Sequence, residues 1–300
     1  MIGYLRLVRL PNVFTSLADI LAAFTIMKFS GRDPGGYATL GLLGGASGAL
    51  YLSGMALNDL ADREEDARVR PNRPIPSGQV SVTAAAVCGF ALMFSGIGLA
   101  ALSGVSLPWA VALAISILAY DFAAKHIVVL GPITLGFCRF FNVLLGSAAA
   151  ASTTLDVLKD GGVMNKPLVM AFTIGIYAAG LTAFSAQEET GKQIRSIVTG
   201  WFFCGVALAL GGLTGRWFYG WIFLGPLMLL LIYRTVQLAR TGTPIAARNL
   251  VRTGVMGVCV VDAGLVLNFA GPDAWPAAVG CVALLIPSIA IAKWLAQKEA

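Results

Sequence analysis

Residues 82–104 read VTAAAVCGFALMFSGIGLAALSG, a stretch with no charged side chain. A helix needs roughly 20 apolar residues to cross a hydrocarbon core about 30 Å thick, and this stretch is long enough. In lipid every backbone N–H and C=O must be satisfied within the segment, so an isolated apolar run of this length is read as an α-helix. A second run follows at once, LPWAVALAISILAYDFAA at 107–124. Working outward, further spans are expected at 12–29 and 37–60 on one side. On the other side they are expected at 131–152, 166–187, 195–214, 217–238, 249–270 and 275–295. Gly271-Pro272 and Pro276 interrupt the last two, so nine or ten transmembrane helices are expected, in one all-α membrane bundle occupying residues 1–300. Composition agrees, with 57% hydrophobic and 12% charged residues and a mean hydropathy of +0.80. Soluble proteins carry about 25% charged residues, and so few charges cannot cover a surface facing water.

The first ten residues, MIGYLRLVRL, alternate basic and apolar side chains and suggest a short helix lying at the membrane surface. No apolar core or cleavage site precedes the first span, so no cleavable signal peptide is expected. If the N-terminus is cytoplasmic, only Lys28, Arg32, Lys159, Lys166 and Arg216 fall in outside loops. Most other Lys and Arg residues then fall inside, and this positive-inside bias orients the bundle.

One His, His126, and five scattered cysteines, with no Cys-x-x-Cys, argue against a zinc or iron–sulfur centre. The net charge of +6 is a topology signal and an attraction for an anionic substrate. No basic stripe with interleaved aromatics points to nucleic acid. The glycines of GGASG at 44–48 lie inside a span, where close helix packing explains them better than a phosphate loop.

The apolar pattern breaks at 56–78, ALNDLADREEDARVRPNRPIPSG. Asp59, Asp62 and Asp66 are spaced i, i+3, i+7 and share one helical face, with Asn58 one turn before Asp62. Carboxylates so placed repel one another unless a cation neutralises them, and Mg²⁺ prefers such oxygens together with phosphate. Arg63, Arg68, Arg70 and Arg73 follow directly, and guanidinium forks suit phosphate oxygens. Metal-holding carboxylates beside phosphate-holding arginines make a diphosphate site.

NDLADREED at 58–66 followed by RPNRPIPSG at 70–78 resembles the first aspartate-rich motif, NDxxDxxxD, of the UbiA superfamily of intramembrane prenyltransferases. YLRLVRLPN at 4–12, Tyr120-Asp121 with Lys125, and FCRFFNVLLGS at 137–147 are similar to further parts of that family. The resemblance implies Mg²⁺ held through Asn58, Asp59, Asp62 and Asp66, and diphosphate held by Arg70 and Arg73, in a site opening to the cytoplasm. Where the family has its second motif, near DxxxD followed by Gly-x-Lys, this sequence instead has SAQEETGK at 185–192. This altered form has no second carboxylate four residues away, which leaves open a weakened site that binds without turnover. There Glu188 and Glu189 stand for the aspartates. They imply a second metal set or a proton acceptor, and Lys192 a phosphate contact. Lys125 belongs with the diphosphate-binding cations. Tyr120 is the best of the aromatic residues for facing an allylic cation. Arg139, charged at membrane depth, either pairs with Asp19 or Asp262 or points at substrate phosphate.

The expected activity is Mg²⁺-dependent transfer of an isoprenyl chain from a prenyl diphosphate to a lipophilic or aromatic acceptor in the membrane. The alternatives are an isoprenoid-binding or carrier protein without chemistry, terpene cyclisation or phosphoribosyl transfer on the same fold, and a secondary transporter.

Overall fold

The computed structural model describes residues 2–104, 106–150, 165–185 and 194–298. Among them ten helices are long and apolar enough to cross a membrane. A short amphipathic helix α1 (Ile2–Leu7) leads through a 3-10 turn (Leu10–Asn12) into α2 (Val13–Phe29). Then come α3 (Tyr37–Ala61), a short α4 (Arg63–Val69), α5 (Val82–Leu102) and α6 (Leu107–Ala119). A π-turn (Tyr120–Ala124) extends α6 and leads to α7 (Leu130–Ser147) and α8 (Lys166–Ser185). The chain closes with α9 (Ile194–Leu213), α10 (Trp221–Thr241), α11 (Pro244–Ala270), α12 (Trp275–Ala283) and α13 (Leu285–Gln297).

Burial sorts these helices into layers. Two-thirds (67%) of the most apolar window of α2, α8 and α11 is buried inside the protein, against 22% for α10 and for the last span. The outer helices turn Val87, Phe94, Ile115, Phe202, Leu229 and Ile286 outward, where an apolar exposed face suits lipid. The interior forms two clusters with α2 as the seam. Ala18, Ala22, Ala23 and Ile26 join the cluster built from α7 to α12, while Ile20 and Phe24 join that of α3, α5 and α6.

Helices in lipid gain little from apolar contact alone and associate by close backbone approach. The crossing of α7 and α8 shows this. A Cβ at Gly136 would lie 2.8 Å from the Gly175 carbonyl oxygen, and one at Gly175 would lie 2.9 Å from that of Gly136. Only two glycines fit there.

Three elements differ from expectation. The acidic helix does not run unbroken to Asp66, because α3 ends at Ala61 and Asp62 takes φ −85°, ψ 1° before α4 begins. Pro71 then ends α4 by disfavouring helical geometry at Arg70, which has φ −138°, ψ 61°. The helix expected over 131–152 is α through Ser147 only and continues as a 3-10 turn (Ala148–Ala150). The last span is one crossing in two helices, divided at Leu284. Beyond Gly78 (φ 76°), the Ser81 hydroxyl accepts from the Ala84 N–H at 3.2 Å and caps α5. The acidic turn and the basic loop are thus held between two helices that pack face to face.

Candidate active site

Asp59, Asp62 and Asp66 sit at one end of the bundle, each against a cation. Asp59 is buried and its Oδ1 accepts from Arg9 Nη2 and Arg73 Nη1, both at 2.9 Å. Arg73 Nη1 also donates to Asp66 Oδ2 at 2.7 Å, and Arg70 Nη1 lies 3.6 Å from Asp66 Oδ1. Lys125 Nζ lies 2.5 Å from Asp62 Oδ1. The break at Asp62 therefore leaves Asp59 and Asp66 reachable by one guanidinium, which closes the 70–78 loop back over the acidic turn. Burial holds Asp66 above the usual carboxylate range, and the nearby Arg73 guanidinium opposes that rise.

Arg9 has φ 46°, ψ 49°, the one left-handed residue other than glycine among those described. Such a conformation is unfavourable for a long side chain and marks a constrained position. Here it turns the chain from α1 into α2 and carries the guanidinium to Asp59.

The π-turn forms the opposite wall. Its extra residue is closed by the Lys125 N–H donating to the Tyr120 carbonyl at 3.1 Å, an i to i+5 bond. Lys125 thereby meets Asp62, and Asp121 meets Asn58, whose Nδ2 donates to Asp121 Oδ1 at 3.0 Å. Asp121 is 3% exposed, and its Oδ2 is buried with no hydrogen-bond partner among the described residues.

A polar seam runs inward from this end. The Arg139 guanidinium lies 5.7 Å from the centre of the Tyr51 ring. Arg139 donates to Asp19 Oδ2 at 3.0 Å and to the Thr15 hydroxyl at 2.6 Å. Asn142 Nδ2 donates to the same Asp19 oxygen at 2.8 Å, and its Oδ1 accepts from Ser47 at 2.7 Å. Asp262 is buried within electrostatic reach of Arg139 and Asp19. Buried charges need partners, and this seam joins α2, α3 and α7 through them.

The structure thus gathers Asn58, Asp59, Asp62, Asp66, Arg70, Arg73, Tyr120 and Lys125 at one end of the bundle. It places Arg139 on Asp19, the structural pairing of the two expected. Glu188, Glu189 and Lys192 lie outside the described residues. Elsewhere Tyr177 is fully buried and donates to the Gly254 carbonyl at 3.0 Å, Phe184 is buried in the core, and Phe122 is exposed. Sequence reasoning assigned Arg9 and Asp121 no site role beyond their place in stretches similar to the family. The available signals were an arginine immediately before a Leu-Pro-Asn turn and a lone carboxylate closing an apolar run.

Among the described residues no three His, Cys, Asp or Glu side chains converge on an ion site, and Arg9, Arg73 and Lys125 contact oxygens of Asp59 and Asp62. The chemistry of the donors nevertheless fits an oxygen-preferring divalent cation, with Asp and Asn oxygens clustered and one buried carboxylate oxygen left without a donor.

The clustered carboxylates and guanidiniums thus lie at one end of an otherwise apolar membrane bundle. Residues 17–251 match the UbiA prenyltransferase family, and the chain belongs to that family. It is 28% identical over 178 residues to a digeranylgeranylglyceryl phosphate synthase of Methanococcus aeolicus, covering 52% of this chain and 61% of that protein. The match thus spans less than two-thirds of that relative's length. The fold is similar to a solved structure concerning digeranylgeranylglyceryl phosphate synthase in membranes (TM-score 0.63, 17% identity, 90% of this chain and 98% of the other). It is similar also to that of a UbiA homologue from Archaeoglobus fulgidus bound to GPP and Mg²⁺ (TM-score 0.61, 15% identity, 88% and 99%).

Proposed function

We propose that this protein transfers an isoprenyl chain from a prenyl diphosphate to an acceptor within the membrane, in a reaction that depends on Mg²⁺. The observation that carries the reading is the meshing of Asp59, Asp62 and Asp66 with Arg9, Arg70, Arg73 and Lys125 at the end of an otherwise apolar bundle. Seven charged side chains drawn to one place in a chain with 12% charged residues favour a ligand carrying several charges of its own. Support comes also from the relatives, named for prenyl transfer, and from a structural neighbour that holds a prenyl diphosphate with Mg²⁺.

Breaking the allylic C–O bond separates charge, so the leaving diphosphate must be stabilised more strongly than the bound substrate. Bound Mg²⁺ would supply Lewis-acid stabilisation of the diphosphate oxygens from the carboxylates of Asp59, Asp62 and Asp66, with Asn58 beside them. Arg9, Arg70, Arg73 and Lys125 orient and neutralise the same oxygens. Tyr120, beside the π-turn, offers a ring face to the positive charge that develops on the allylic carbon. The apolar helices accommodate the tail and keep water from the cation.

The test is incorporation of label from radioactive geranylgeranyl or farnesyl diphosphate into a lipophilic product, using membranes that contain the protein and a lipid extract as acceptor pool. The reading expects a labelled product that requires Mg²⁺, and the product's head group identifies the acceptor. Donor binding without product would favour a carrier instead.

A further inference from the structure

We propose that Asp121 is an additional metal-holding carboxylate of this site, set beside Asn58 and Asp62 by the π-turn. The inference rests on the reading of the cluster as a metal–diphosphate site and adds a residue to it.

The carboxyl group of Asp121 is 3% exposed, and only one of its oxygens has a donor, Asn58 Nδ2 at 3.0 Å. The other, Oδ2, is buried with no hydrogen-bond partner among the described residues. A carboxylate oxygen stripped of water and given no donor is costly, and sites that keep one commonly do so for a ligand. Asn58 and Asp62 lie one helical turn apart, so the oxygens of α3 and of the π-turn face a common space. Asp and Asn oxygens are the donors that Mg²⁺ and Mn²⁺ take.

Charge balance leads the same way. Asp59, Asp62, Asp66 and Asp121 stand with Arg9, Arg70, Arg73 and Lys125, so acidic and basic groups match in number. A diphosphate that draws the basic groups to itself leaves the carboxylates in need of new cations. Asp121 and Asp62 then flank Asn58 as a pair of carboxylates without their lysine. The turn itself supplies the placement: Asp121 and Lys125 are four residues apart on it, and they meet Asn58 and Asp62, respectively.

The experiment uses the full chain in lipid nanodiscs with unreactive geranylgeranyl thiolodiphosphate, and reads bound Mn²⁺ by electron paramagnetic resonance. Asp121→Asn keeps an oxygen to accept from Asn58 but removes the charge. Its Mn²⁺ affinity is expected to fall roughly tenfold or more, while Asp121→Glu stays close to wild type. Asp121→Cys is expected to shift preference from Mn²⁺ toward Cd²⁺ by a similar factor, because a thiolate is a softer ligand. The Cys variant decides the matter if Asp121→Asn does not accumulate as folded protein. Unchanged Mn²⁺ affinity in Asp121→Asn, or an unchanged Cd²⁺ preference in Asp121→Cys, overturns the proposal and leaves the metal–diphosphate reading intact. A wild-type protein that binds neither Mn²⁺ nor the analogue overturns both.

Discussion

Arg73 shows how one residue serves two states of the site. Its Nη1 holds Asp59 and Asp66 together, and its charge is the one the 70–78 loop brings across to the acidic turn. Lysine at this position keeps the charge but loses the planar fork that grips phosphate oxygens. We expect Arg73→Lys to raise the KM for donor about tenfold in a transfer assay while the protein stays folded in detergent. Arg73→Ala leaves Asp59 with Arg9 alone and Asp66 with Arg70 alone, so it is expected to lower thermal stability as well, by about 1–3 kcal/mol given the partial exposure of the arginine. Arg9 deserves the complementary substitution. Arg9→Gly relieves the left-handed backbone but removes the Asp59 contact, so the account expects reduced donor affinity with unimpaired or improved stability.

The π-turn argues at the scale of elements. Inserting one alanine after Ala124 carries Lys125 about 100° further round the helix, away from Asp62. The expected outcome is loss of Mg²⁺-dependent turnover in a protein whose helix content by circular dichroism is unchanged. The α7–α8 crossing makes the opposite case, a feature needed for assembly and remote from the chemistry. Gly136→Leu would drive a side chain into the Gly175 carbonyl and is expected to destabilise the bundle by about 1–3 kcal/mol, read as a lowered melting temperature in detergent. Elements also mark what sequence reading can and cannot see. The spans were legible because lipid imposes a length and an apolar composition on each of them. That Asp59, Asp62 and Asp66 gather in one place was legible from their spacing, though not on one continuous helical face. The break at Asp62 was not, since no proline or glycine announces it. Neither was the π-turn, because YDFAAK reads equally well as the frayed end of a regular helix. Arg9 escaped for a different reason. An arginine outside the first span serves as a topology signal in any membrane protein, and its contact with a carboxylate 50 positions away exists only once α2 and α3 are packed.

At the scale of the whole molecule, the acidic and basic groups of the cluster pair with one another. On the proposed reading, diphosphate binding draws Arg9, Arg73 and Lys125 off the carboxylates, and metal binding draws the carboxylates off those cations. Each ligand takes the groups the other frees, so the two are expected to strengthen each other's binding reciprocally, by at least tenfold in calorimetric titrations. Lys125→Met removes one cation from this balance. It is expected to weaken donor binding yet leave Mg²⁺ alone binding more tightly than in wild type, since Asp62 is then free. The inner helices add a second consequence. Asp19, Arg139 and Asn142 fasten α2 to α7 near mid-membrane, so Arg139 is expected to affect assembly more than donor affinity.

The most direct measurement is Mg²⁺-dependent release of diphosphate from geranylgeranyl diphosphate in membranes carrying wild type or Asp62→Asn. The account predicts release by wild type that vanishes without Mg²⁺ and falls more than about a hundredfold in the variant. Equal release by the two proteins, or release indifferent to Mg²⁺, would contradict it.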